Sequence, residues 1–280
     1  MQHLPCRHIC LLCVLCIPEV KESRADDAAT NDNPAATKLP TYVIQRVNSK
    51  ITIDGRIDEE DWKQAKSVGA FVFEWWKEGM PKKEQTVCKM LWDDQYLYFS
   101  YVCEDTHLLG LHTDRDGRIP EDDSVEVYIT PNIRNPTRHY AFYTNVRGAL
   151  YDEKFDANGK RFRKKNSGKP PLTGRKASWD SEGVKVAVTI DGTLNIHDDT
   201  DRSWSTEIAV PFETFSDAST RIPPSPNDVW KLNPNRHGYT PNERTQYSQW
   251  APTLSANRSF FEPDLFGKVV FSAETALSRH

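Results

Sequence analysis

Several signatures of small-molecule chemistry are missing from this sequence. No G-x-G-x-x-G or Walker glycine pattern occurs, so nothing prepares a loop to cradle a nucleotide phosphate. No H-x-x-x-H pair offers two imidazoles on one helical face, and no G-x-S-x-G elbow presents a serine nucleophile. The longest apolar run, Ile9–Ile17, has nine residues, well short of the roughly 20 that cross a bilayer as a helix. Neither sign of charge dominates: 36 basic residues stand against 40 acidic ones, for a net −4. That balance carries no nucleic-acid footprint.

What is present begins with an export signal. Arg7 and His8 precede the apolar run, and Ser23-Arg24-Ala25 places small residues where a leader is cut. Residues 1–25 therefore read as a signal peptide, and the mature chain as secreted or periplasmic. Cys6, Cys10, Cys13 and Cys16 leave with the leader, so only Cys88 and Cys103 remain. Two cysteines do not make a disulfide scaffold, and the folded part must be held by its core. Residues 26–40 contain no aromatic and read as a disordered linker.

From there on the pattern is that of strands. Gln85–Trp92 and Tyr96–Glu104 flank a short acidic turn and predict a hairpin. Further strands are expected over Ser124–Thr130, Tyr140–Val146, Val184–Ile190, Trp204–Val210, Val229–Leu232 and Gly267–Phe271. One short helix is expected near 58–65, with acids at its start, and one helical turn at Pro211–Phe215. Short strands with almost no helix predict an all-β fold, a two-sheet antiparallel sandwich over residues 41–273 with a tail at 274–280.

Three groups of residues invite a chemical reading. Lys160–Lys176 carries eight cations and no acid, set among Gly and Pro, and reads as a solvated surface loop, or more sharply as a basic lip that would attract acidic polysaccharide. Asp198-Asp199-Thr200-Asp201 is oxygen-rich, as calcium prefers, without the EF-hand spacing. Aromatics give the strongest lead, because sugar rings stack on aromatic faces while carboxylates and amides fix their hydroxyls. Trp62, Trp92, Trp204 and Trp230 fall inside regular elements and read as core. Trp75, Trp76 and Trp250 lie near loops. On Ser124–Thr130, alternation puts Val125, Val127 and Ile129 on one face and Glu126 with Tyr128 on the other.

Ile53-Asp54-Gly55-x-Ile57-Asp58-Glu59-x-x-Trp62 resembles the opening of family 9 carbohydrate-binding modules. So, in order, do Leu91-Trp92-Asp93-Asp94-x-Tyr96-Leu97-Tyr98-Phe99, Asp123–Ile129, Trp204-x-x-Glu207-Ile208-Ala209-Val210-Pro211-Phe212, Trp250-x-Pro252 and Phe266-Gly267. The resemblance spans about 53–271. It implies a jelly-roll-like sandwich with structural calcium that binds glucan or xylan chain ends or small sugars. Its sugar site would put Trp250 at a stacking platform, with Glu126 and Asn145 as polar contacts. Two positions depart from the pattern: Pro120 stands where the family has a second stacking tryptophan, and Tyr143 where it has an arginine. Trp75 or Trp76 would then have to supply the opposing ring, with Tyr143 a secondary contact.

The expected function is non-catalytic binding of poly- or oligosaccharide in support of carbohydrate catabolism, with no organic cofactor, no nucleic-acid partner and no membrane span. The alternatives are a glycosidase acting on O-glycosyl bonds, a structural or protein-interaction domain, and a haem-binding relative for which only Met80, Met90 and scattered histidines offer ligands.

Overall fold

The computed structural model describes residues 38–80, 82–160, 179–219, 221–240, 243–253 and 260–277. The expected leader lies outside them, as do most of the linker, residues 161–176 of the basic segment and the last three residues of the tail.

Eleven strands follow one another: β1 (Thr41–Arg46), β2 (Thr86–Trp92), β3 (Tyr96–Glu104), β4 (Ser124–Thr130), β5 (Tyr140–Asn145), β6 (Leu150–Lys154), β7 (Lys185–Asp191), β8 (Ser203–Pro211), β9 (Val229–Thr240), β10 (Glu243–Gln249) and β11 (Gly267–Thr275). The expected helix is present as α1 (Glu60–Gln64), with Glu60 and Asp61 in its first turn, and the helical turn as a 3₁₀ segment at Phe212–Phe215.

The strands are joined in one continuous path, β6-β5-β4-β9-β11-β1-β2-β3-β8-β7, with β10 added to β9. Its two halves face each other across a shared core. Met90, Trp92, Phe99, Tyr101 and Ile208 from β2, β3 and β8 meet Val125, Val127, Phe142 and Leu232 from β4, β5 and β9. Across that interface the Tyr101 hydroxyl donates to the Glu126 carbonyl at 3.2 Å. The architecture is all-β as expected, built from one continuous sheet folded over on itself rather than from two separate sheets. It is not purely antiparallel, however: β1 runs parallel to both β11 and β2, and so links the layers.

Three strands escaped the sequence reading, β1, β6 and β10, and the last two are polar. β9 runs eight residues past its expected end, to Thr240. It pairs with β4 along one edge, but exchanges β11 for β10 along the other. Pro234 sits at the exchange, between Leu232, the last Cα partner of β11 in this direction, and Asn235, the first of β10. A strand residue's N and O point to the same edge, and the Pro234 carbonyl accepts from the Trp250 N–H on that side. The missing proline donor thus falls where no ladder requires it.

Among the described residues Cys88 and Cys103 are buried free thiols, Cys88 opposite Tyr101 and Cys103 opposite Thr86. They share a face diagonally without being joined.

Candidate functional site

Alternation on β4 sends the three valine and isoleucine side chains into the core and turns Glu126 and Tyr128 outward. Outward is not exposed. Every residue of β4 is buried, because a second aromatic cluster covers this outer face: Ile119, Tyr128, Tyr143, Tyr151, Phe260 and Phe266, with Trp75, Tyr247 and Phe261 packed against it. Register places Glu126 between Asn235 of β9 and Tyr143 of β5, and sets His237 two residues along on the same face of β9.

The polar floor is one connected chain. Glu126 Oε1 lies 2.7 Å from His237 Nε2, and Oε2 accepts from the Tyr128 hydroxyl at 3.0 Å. The Tyr128 and Tyr143 hydroxyls are 2.9 Å apart, the Tyr143 and Tyr151 rings 5.1 Å, and the Tyr151 hydroxyl donates to Glu153. Burial, followed by the neighbouring glutamates, pushes the phenols of Tyr128 and Tyr143 well above the usual tyrosine range, so both stay protonated donors. The Asn235 side-chain carbonyl is buried with no hydrogen-bond partner, so the floor also holds an unused acceptor.

Aromatic walls surround that floor. Trp75 packs 5.2 Å from Phe260 and 5.8 Å from Tyr247, and His237 lies 4.9 Å from Tyr247. Beside them opens a cavity of about 400 Å³, lined by Thr137, His139, Phe155, Gly159, Phe261 and Pro263, with the His139 and Phe155 rings stacked at 4.0 Å.

The structure brings Glu126, Tyr143 and Trp75 to this face. It sends Trp250 elsewhere. That ring belongs to the inter-sheet core at 5% exposure, its indole N–H donates to the Val68 carbonyl at 2.9 Å, and any side chain at Gly267 would overlap it. Trp250 offers no stacking face here, which corrects the platform expected of it. Asn145 shares the outer parity of Tyr143, yet its amide is consumed locally. Its Nδ2 donates to the His112 carbonyl and to Asp122, and its Oδ1 accepts from the Arg147 and Ala149 N–H groups. It shapes the β5–β6 turn rather than reaching for a ligand. Trp76 is half-buried with the Lys83 ammonium 4.6 Å from its ring. Pro120 lies beside Ile119 of the outer cluster, and its carbonyl accepts from the Tyr239 hydroxyl.

His237, Asn235, Tyr247 and Phe260 were not anticipated. Tyr128 was visible as the same-face neighbour of Glu126. The others sit on stretches whose polar composition hid the strand, or outside any strand.

A second cluster lies apart from this face. One carboxylate oxygen from each of Asp116, Asp152 and Asp180 lies within 4.8 Å of the others. Oδ1 of Asp116 and Oδ1 of Asp152 are buried without a hydrogen-bond partner, and Asp152 is wholly inaccessible. Burial, then the neighbouring carboxylates, raises Asp116 to about 7; burial raises Asp152 to about 6 against the opposing pull of the Ser181 N–H and Arg115. Three acids against Arg115, which bonds Asp152 at 2.7 Å, leave an uncompensated negative charge. All-oxygen donors with unused lone pairs fit a hard divalent cation. The acidic loop at 198–201 fits less well, since both Asp201 oxygens accept backbone N–H groups, from Leu108 and Thr193.

Comparison with known proteins decides the family. A sequence model described as carbohydrate family 9 binding domain-like matches residues 53–273. The chain belongs to that family. Solved structures agree on the fold at low identity. A Bacteroides uniformis protein to which carbohydrate binding has been ascribed superposes with a TM-score of 0.62 at 17% identity, over 84% of this chain and 100% of its own. A family 9 carbohydrate-binding module from Caldicellulosiruptor kristjanssonii in complex with cellotriose gives 0.56 at 11% identity, over 86% and 97%. A family 9 module from the same organism in complex with glucose gives 0.53 at 11%, over 84% and 97%. No curated protein matches the chain.

Proposed function

We propose that this chain is an exported, non-catalytic carbohydrate-binding protein that engages poly- or oligosaccharide on the outer face of β10-β9-β4-β5-β6, in support of carbohydrate catabolism. The observation that carries the reading is the polar floor of Glu126, Tyr128, Tyr143, Asn235 and His237, enclosed by aromatic rings in a chain of this family. The rings suit the C–H side of a sugar, and the floor beneath them, buried and largely bonded to itself, keeps the Asn235 carbonyl as an unused acceptor. Trp75 takes the stacking role first expected of Trp250, with Glu126 the principal polar contact and Tyr143 acting through its hydroxyl. The family 9 modules with bound cellotriose and glucose make a glucan the first ligand to try. The basic segment 160–176 extends the range to acidic glycans.

The test is a glycan array of neutral, uronate-containing and sulfated oligosaccharides, followed by turnover assays on the glycans that bind. Binding without turnover supports the reading. Turnover would establish a glycosidase instead, and silence across the array from folded protein would leave an interaction domain.

We further infer that Asp116, Asp152 and Asp180 are the ligands of the structural calcium. A bound ion would supply the positive charge these clustered carboxylates lack and would tie β6 to the segments carrying Asp116 and Asp180.

A further inference from the structure

A second cleft opens on the other side of β6. Tyr151 and Glu153 belong to the outer tyrosine floor, so alternation turns Lys154 the opposite way, towards the Tyr140 and Trp179 rings. There a cleft of about 330 Å³ lies between Lys154, Trp179, Glu182, Glu213, Thr214 and Asp217.

Its chemistry is distinct from that of the outer face. Trp179 is half-buried, packed 5.5 Å from Tyr140 and 6.4 Å from Phe142, and the same ring lines the cleft. The Ser181 and Thr214 hydroxyls, 2.9 Å apart, add donors and acceptors. Glu182, Glu213 and Asp217 line the space against the ammonium of Lys154, and Asp180 at its edge faces Arg115 at 3.9 Å and the aspartate cluster. Asp217 is committed to that ammonium at 2.6 Å. The Glu182 and Glu213 side chains are exposed and make no ion pair or hydrogen bond among the described residues.

The Lys154 ammonium also lies 5.6 Å from the Trp179 ring. A cation is thus already accommodated near this π face, as the quadrupole of an indole favours. Two unengaged carboxylates beside an indole and two hydroxyls complement a ligand that joins an apolar ring face, hydroxyls and a positive charge. The same charges repel uronates and sulfates.

We propose that this cleft is a second carbohydrate subsite, selective for a sugar unit bearing a protonated amine. The assignment stands independently of the outer-face reading.

The purified chain would be titrated calorimetrically with a glucosamine tetramer, cellotetraose and a galacturonate tetramer, at low salt and a pH where the amine is protonated. The glucosamine tetramer is expected to bind at least tenfold more tightly than the galacturonate, and more weakly as salt is added. Glu182→Gln with Glu213→Gln, both at exposed positions, should weaken it by roughly tenfold with the melting temperature unchanged. Trp179→Leu, which keeps an apolar side chain against the core, should weaken it as well. Glu126→Gln, on the outer face, should leave it unaltered. No binding of the glucosamine tetramer, binding indifferent to the double glutamine variant, or galacturonate binding that the double glutamine variant weakens equally overturns the proposal. Loss on Glu126→Gln alone would assign the amine to the outer face and overturn it too, whereas failure of the outer-face reading would appear as cellotetraose binding indifferent to Glu126→Gln.

Discussion

The indole N–H of Trp62 donates to Glu207 Oε1 at 2.8 Å, joining residues 145 apart in the chain. The other oxygen of Glu207 accepts the backbone N–H groups of Asp54 and Gly55, each at 2.9 Å. Two stretches that looked like separate matches in the sequence are therefore one buried joint, which clamps the segment leading into α1 onto β8. Gly55 has φ +86, and a Cβ there would come within 2.6 Å of the Val188 backbone, so the joint admits only glycine.

Glu207→Ala should cost about 3 kcal/mol or more, because it strands two buried donors and a third that is partly buried. Urea unfolding of the variant checks this, and a loss below about 1 kcal/mol would contradict the clamp.

Trp250→Ala should act on stability rather than on sugar contact. Removing a ring that fills the inter-sheet core is expected to cost about 3–5 kcal/mol. Gly267→Ala should destabilise through the same packing, by forcing a methyl group into the indole. Thermal melting separates this account from a platform, since a platform variant would melt normally and lose only ligand.

Asp116 and Asp152 make a signed prediction. Their folded pKa values lie above those of an unfolded carboxylate, so protonation favours the folded state. Without added cation, their contribution is fully present below the ordinary carboxylate range and is lost as pH rises through about 6 and 7. Calcium competes with those protons. The rise in melting temperature on adding calcium should therefore be small near pH 5, grow through that window and level off above it. Asp152→Asn should abolish it. A calcium shift that is independent of pH, or that survives Asp152→Asn, would remove this cluster from consideration.

Legibility in the sequence followed alternation and burial. Val125, Val127 and Ile129 against Glu126 and Tyr128 is a clear period of two, and the faces came out as read. Trp62, Trp92, Trp204 and Trp230 were placed correctly in buried positions for the same reason. β10, with the sequence ERTQYSQ, and the far half of β9 carry too many polar side chains to look like strands, although Arg236, His237, Gln246, Ser248 and Gln249 among them are buried by the fold. That concealed His237, the partner of Glu126. Trp250 was misjudged because a position near a strand end does not reveal which face its side chain takes. The three aspartates were out of reach, being distant in sequence and brought together only by the fold.

The most direct test of the central claim is a calorimetric titration of cellotriose into the purified chain, its Glu126→Gln variant and its Trp75→Ala variant. The account predicts saturable binding to the wild-type chain that weakens by roughly tenfold or more in each variant, while circular dichroism shows both still folded. Undiminished binding in both folded variants would place the sugar somewhere other than the outer face of β4 and contradict the account.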